Sequence, residues 1–459
     1  MEWPEFGAVV YDSRMQRVSR SQSLRVVGFV LAASSLLGVG CECTPNNTPD
    51  AAMDDARRIR ADANEDAPTV IADDAFTPTM GFRSPDRCRV ESSDVFLLGT
   101  DNDLSVRSRP IGVGPNASSF GVVWREVTEG LPQVRFTEIP ATSGPAPAAR
   151  TVTEGTATHE EPSIVASGGG YVVAWTDNSA DDFEIHARTV SGMTLGAIQR
   201  ITNRMGRDDA PTLIGVGSDV LAGWVEERGT SRVPVVRPLS ATAAPTGTAH
   251  DVTVTGNIGR PILAPREGGA VIAYSDTVAG LPDVFLQRVD ASGASVGARE
   301  MLSGEHNATG DIDVGLTALD GAAVFGANLD GRRDVRIRRL DGTGTPSVAE
   351  YAANRDAEFG DSASVARLRE AVGWSRDCRD GYAIIYRSYP GAGAAPVLRL
   401  LLIDAGAQVV RVVDLNIPDI SAQGGRTTLR ISGDGQLLVA WTDAHADRVD
   451  MRAARIRCD

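Results

Sequence analysis

The sequence predicts an all-β fold built from a tandem repeat, and three observations carry that prediction. The first is self-similarity. Gly168 to Arg188, GGGYVVAWTDNSADDFEIHAR, and Gly435 to Arg455, GQLLVAWTDAHADRVDMRAAR, align without gaps on their tryptophans, setting Trp175 on Trp441, Thr176 on Thr442, Asp177 on Asp443, Asp181 on Asp447 and Ala187 on Ala453. The second is a period. The aromatic that closes each apolar run falls at Trp124, Trp175, Trp224, Tyr274, Tyr386 and Trp441, with Gly326 holding the place in a degenerate copy, at intervals of 51, 49, 50, 52, 60 and 55 residues. The third is that no stretch of the repeat region keeps apolar residues at helical spacing for three turns, while Gly, Pro, Asn and Asp interrupt it often.

Each repeat of about fifty residues has room for four short strands and their turns. In the second copy these read as Pro162 to Ala166, Tyr171 to Thr176, Glu184 to Val190 and Ala197 to Thr202. Pro110, Pro162, Pro211 and Pro261 precede their aromatics by 14, 13, 13 and 13 residues. A proline suits the start of a strand, where its missing N–H lies outside the ladder. The run Tyr171 to Trp175 is apolar on both faces, as a sandwiched strand requires, whereas Glu184 to Arg188 alternates. Sheets with a buried inner part and a polar rim are hidden by stacking around an axis, which is the β-propeller solution. The expectation is seven blades of four antiparallel strands, with six and eight as the alternatives.

The repeat domain is expected over residues 88–459. Ahead of it, residues 1–41 read as an export segment whose true start is Met15: Arg17, Arg20 and Arg25 precede the apolar run Val26 to Val39, too short to span a bilayer and suited to a signal-peptide core. Residues 42–87 carry scattered acids among Ala and Pro with no apolar period, and read as a disordered tether.

Composition excludes several chemistries. All 45 Lys+Arg residues are Arg, so there is no P-loop lysine, no Schiff-base lysine and no lysine base. A net charge of -15 argues against nucleic acid as a partner, since such binding neutralises phosphates with a basic face.

Two resemblances add to this reading. Leu36-Leu37-Gly38-Val39-Gly40-Cys41 resembles the lipobox of bacterial lipoproteins, although the family's usual Leu three places before the cysteine is here Gly38. It implies lipidation of Cys41 and an inner- or outer-membrane lipoprotein facing the periplasm or the cell surface. Val172 to Asp177 followed by Glu184 to Arg188, with the echoes Asp283 to Arg288 and Asp334 to Arg339, resembles the propeller-type repeat of bacterial secreted and surface proteins. No WD40 or sialidase box is present.

Candidate chemistry is sparse. His159, His186, His250, His306 and His445 show no spacing that sets two on one face, so a His-based zinc site is not expected, and no metal or cofactor is assigned. Asp177, Asp276 and Asp443 recur after the aromatic, which points to turn chemistry shared by blades rather than to one active site. Asp101-Asn102-Asp103 is a weak calcium loop, lacking the glycine and distal acid. The six aromatic markers are expected in the packing between blades. The last copy supplies strands at Thr427 to Ser432, Leu437 to Thr442 and Asp450 to Arg457 and lacks a fourth, so Val95 to Leu98 is expected to complete that sheet. Closure would bring Cys88 towards Cys458, with Cys378 as the competing partner.

The functional expectation is a monomeric, non-enzymatic propeller, tethered through lipid and recognising a protein or glycan. The alternative is an envelope glycan hydrolase with carboxylates from several blades meeting at the channel. Metabolic labelling with a fatty acid should mark the wild type and not Cys41→Ala; label on the variant, or none on the wild type, would remove the anchor.

Overall fold

The structure, a computed structural model, describes residues 88–104, 111–179, 182–252, 258–278, 281–304, 307–316, 320–329, 332–347, 350–353, 359–367, 381–389, 395–404 and 409–458. The expected export segment, Cys41, Met15, the acidic tether, His306 and Cys378 lie outside these residues. Seven antiparallel sheets follow one another along the chain and close into a seven-bladed β-propeller. The one helical element among the described residues is a short 3-10 turn at Ser92–Asp94.

The ring follows from strands that are apolar on both faces. In blade 2 the second strand, Gly170–Asp177, is buried throughout. Its two faces serve different seams. Tyr171, Val173 and Trp175 pack with Val123, Val134 and Phe136 of blade 1, while Val172 and Ala174 pack with Leu213, Trp224 and Val235 of blade 3. Five further apolar clusters continue this pattern between successive blades around the ring, up to the one in which Leu438 and Ala440 of blade 7 meet Ile111, Phe120 and Trp124 of blade 1. Because successive side chains of a strand point to opposite faces, a run such as Tyr-Val-Val-Ala-Trp feeds two seams at once. Blade 5 keeps its sheet although Gly326 replaces the aromatic, because Phe325 and Val324 still supply both faces.

The outer strands depart from the sequence reading. In blade 2 the expected fourth strand at Ala197 to Thr202 shrinks to Gln199–Arg200, and blades 1, 3 and 5 likewise pair only Arg150–Thr151, His250–Asp251 and Tyr351–Ala352 there. An outermost strand is paired on one side only, so little holds a longer ladder.

The innermost strands are bulged. Blades 2, 3, 5 and 6 each lose register near the start of this strand, between Glu160 and Ser163, Asp209 and Thr212, Thr309 and Ile312, and Asp361 and Ser364. Glu161 and Ala210 sit there at φ 52° and 56°, a conformation that costs an L residue. The neighbouring blade helps to hold it: the Glu161 carboxylate accepts the Ala210 N–H at 2.7 Å.

Closure joins the two ends of the domain. Val95–Asp101 pairs antiparallel with Val449–Cys458 and supplies the outer strand that blade 7 lacks. Cys88–Arg89 adds a two-residue ladder in which Cys88 stands opposite Cys458, and a disulfide joins them across 370 residues of sequence. Asp94, 1% exposed, anchors the join by accepting from Arg457 at 2.6 Å and pairing with Arg455 at 2.9 Å. A crosslink over so long a loop should remove on the order of 5 kcal/mol of chain entropy from the unfolded state. Cys458→Ser should therefore lower the unfolding free energy, read from the denaturant midpoint, by an amount of that order and leave the folded circular dichroism unchanged. An unaltered midpoint would mean that pairing alone holds the ring.

Candidate functional site

The innermost strands of blades 1 to 5 and 7 line an axial cavity of about 330 Å³. Hydrogen bonds show that these strands run the same way round the ring. Leu213 N–H donates to Ser163 Oγ at 3.1 Å, Leu263 N–H to Thr212 Oγ1 at 3.3 Å, and Thr428 Oγ1 donates to the Ile111 carbonyl at 2.8 Å. In blades 2, 3 and 7 a hydroxyl thus latches an inner strand to its neighbour. The strand starts define an entry face, with Arg260 and Arg426 just ahead of their strands. Cys88 and Cys458 lie at the other face, because Val449–Cys458 runs away from the entry end.

Aliphatic residues such as Ile164, Leu213, Leu263 and Val314 share the wall with hydroxyls and with Arg260, Asp313, Arg426 and Arg430. Asp313 of blade 5 is the one carboxylate among the described lining residues, and it accepts from Arg430 of blade 7 at 2.9 Å. A cavity of this size with a few convergent polar groups matches the usual form of a small-ligand site.

The recurrent acids have a different place. Two residues after the aromatic, Asp443 is fully buried and accepts the Trp441 indole N–H at 2.7 Å, with Arg452 at 3.2 Å and Arg387 at 3.6 Å. Asp177 accepts the Trp175 indole N–H at 3.2 Å, and Asp276 binds Arg299 at 2.6 Å. These acids satisfy buried donors at the rim of each seam. Blades 1 and 3 carry the longer Glu126 and Glu226 instead, and there the indole N–H groups of Trp124 and Trp224 have no partner. All six marker aromatics, Trp124, Trp175, Trp224, Tyr274, Tyr386 and Trp441, are at most 2% exposed and line seams, not the cavity.

The histidine reading needs a correction. His159 and His186, 27 positions apart in the sequence, meet on one carboxylate: their Nδ1 atoms lie 2.9 and 3.1 Å from Asp177 Oδ2. Antiparallel pairing brings them together, since His159 stands opposite Asp177 and His186 opposite Trp175. Burial opposes the Asp177 charge, yet hydrogen bonds from His159, His186 and Ser179 hold its carboxyl far below the usual range. The Asp101-Asn102-Asp103 loop is likewise internal in purpose. Arg125 binds Asp101 at 3.1 Å and Asp103 at 2.9 Å, and Asp101 also accepts the Val127 N–H.

The sequence reading missed a set of arginines that stitch blades together. Arg188 donates to the Val152 carbonyl, Arg237 to Ile201 and Arg338 to Leu302, each crossing to the preceding blade at 2.7–2.8 Å. The available signal was Arg or Gln recurring on the third strand.

No family model matches this chain, and no curated protein matches it. Among solved structures, it is similar to a puromycin-hydrolysing peptidase of Mycobacterium tuberculosis at 14% identity and TM-score 0.47, over 80% of this chain and 56% of that one. It is also similar to a lectin from Burkholderia pseudomallei at 10% identity and TM-score 0.46, over 75% and 98%, and to an endo-arabinase from Bacteroides thetaiotaomicron at 11% and 0.37, over 65% and 94%. Likeness this distant carries no information about chemistry.

If the recurrent acids serve folding, Asp443→Ala should destabilise the domain by about 3–5 kcal/mol, because Arg452, Arg387 and the Trp441 N–H lose a buried partner. Asp443→Asn, which keeps an acceptor for the indole, should cost less. Both are read from denaturant midpoints, and equal losses would contradict this role.

Proposed function

We propose that the protein is a non-enzymatic binding propeller, exported and held to the bacterial envelope by a lipid on Cys41, that recognises a protein or glycan at the entry face of its axial cavity. The cavity carries this reading. Glycoside hydrolysis calls for two carboxyl groups set about 5–9.5 Å apart across the scissile bond. The described lining offers one, Asp313, bonded to Arg430. The remaining recurrent acids are spent on indoles, guanidinium groups and backbone, as a structural acid is.

Cys88 and Cys458 lie on the face opposite the strand starts, so the disulfide leaves the entry face with Arg260 and Arg426 unobstructed. A wall that combines aliphatic residues with hydroxyls, arginines and an Arg–Asp pair suits a ligand with both apolar and polar faces.

A glycan array and a panel of purified envelope proteins, probed with detergent-solubilised full-length protein, test the proposal. Binding should appear and should weaken at least tenfold in Arg430→Gln, whose unfolding midpoint is checked in parallel. Release of reducing sugar from a polysaccharide, abolished by Asp313→Asn, would replace this reading with the hydrolase.

A further inference from the structure

Opposite the acid that follows the marker aromatic, blades 2, 3, 4 and 7 each place one residue from the start of the inner strand. In blade 2 this is His159 facing Asp177; in blade 4, Ile258 facing Asp276; in blade 7, Gly424 facing Asp443. Blade 3 differs, because there Asp208 faces Glu226 and acid meets acid. Like charges directly opposite on neighbouring strands repel.

The two acids are not served equally. Glu226 has Arg228 at 2.8 Å and Arg204 at 3.1 Å. Asp208 is 2% exposed, and both of its carboxyl oxygens are buried without a hydrogen-bond partner. The nearby cations are engaged elsewhere: Arg207 and Arg232 bind Asp209 at 2.6 and 2.7 Å, and Arg200 binds Glu184 at 2.6 Å. Across the seam, Asp208 N–H donates to the Phe183 carbonyl, which brings Asp182 and Glu184 of blade 2 against it. Asp182 accepts from Gly206 and Phe183 N–H groups. Thr202 is also close, but its single hydroxyl proton goes to Glu184.

An ionised Asp208 would thus be a buried, unpaired charge facing three carboxylates, which is too costly to persist. Among the described residues no three His, Cys, Asp or Glu converge on a point where a metal could sit. A proton is the remaining compensation. We propose that Asp208 holds a proton in the folded protein, so that the seam between blades 2 and 3 is a pH-responsive joint that weakens when this proton leaves. The joint adjoins the cavity. Two residues on, Ala210 sits at positive φ with its N–H held by Glu161, and Thr212 and Leu213 then enter the wall.

Burial first, opposed by the nearby Thr202 hydroxyl and reinforced by the charges of Glu226, Glu184 and Asp182, pushes the Asp208 carboxyl up to about 7. A carboxyl raised in the folded state binds its proton more tightly there than in the unfolded chain. Its stabilising contribution is therefore complete below about pH 4, declines as pH rises and is lost above about pH 7. Asp208→Asn, neutral at every pH, removes this dependence. Between pH 4.5 and 7 the thermal midpoint of Asp208→Asn should gain on the wild type by roughly 5 °C and then stay level. A gap that is constant with pH would overturn the proposal. Should the variant fail to fold, infrared difference spectra of the wild type between pH 6 and pH 8 read the group directly. Loss of a protonated-carboxyl C=O band on raising the pH supports the assignment, and its absence refutes it.

Discussion

The architecture rests on one constraint: the second strand of each blade is apolar on both faces, and a single sheet cannot hide both. Val172 and Ala174 need blade 3 while Tyr171, Val173 and Trp175 need blade 1. Repeating that demand in every blade leaves open stacking, with two exposed terminal faces, or a ring. The ring removes the exposed faces altogether, and the Val95–Asp101 strand on Val449–Cys458 completes the last sheet.

Burying large aromatics in every seam also buries their polar atoms, and much of the remaining chemistry deals with that consequence. Asp177 and Asp443 accept indole N–H groups; Arg188, Arg237 and Arg338 carry guanidinium protons across seams to backbone carbonyls. These contacts are directional where apolar packing is not, so they fix the rotation of one blade against the next. The channel hydroxyls of Ser163, Thr212 and Thr428 do the same at the axis. A protein without lysine uses arginine throughout for this purpose, which suits a planar group that can reach several acceptors at once.

The acid pair of blade 3 shows how a repeat carries individual chemistry. Its backbone follows blade 2, bulge included, yet the residue placed opposite the acid is Asp208 where blade 2 has His159. One side chain changes the site from a histidine set against an aspartate to a proton-holding acid pair, without altering the sheet.

Period, strand content and the burial of the aromatics were legible in the sequence because they depend on residue order within one repeat. The terminal strand pairing was legible too, since a blade with three strands must find a fourth. The convergence of His159 and His186 on Asp177, and of Asp208 on Glu226, was not. Both depend on which residues stand opposite one another across antiparallel strands, and a single bulge residue, Glu161 or Ala210, shifts that register. The Asp313–Arg430 pair lies further still from the sequence, joining blades 5 and 7 across the axis at a separation that only closure of the ring brings within reach. Sequence order set what each blade must bury; the tertiary structure alone decided which polar groups meet, because their meeting depends on register and on closure, which no local pattern encodes.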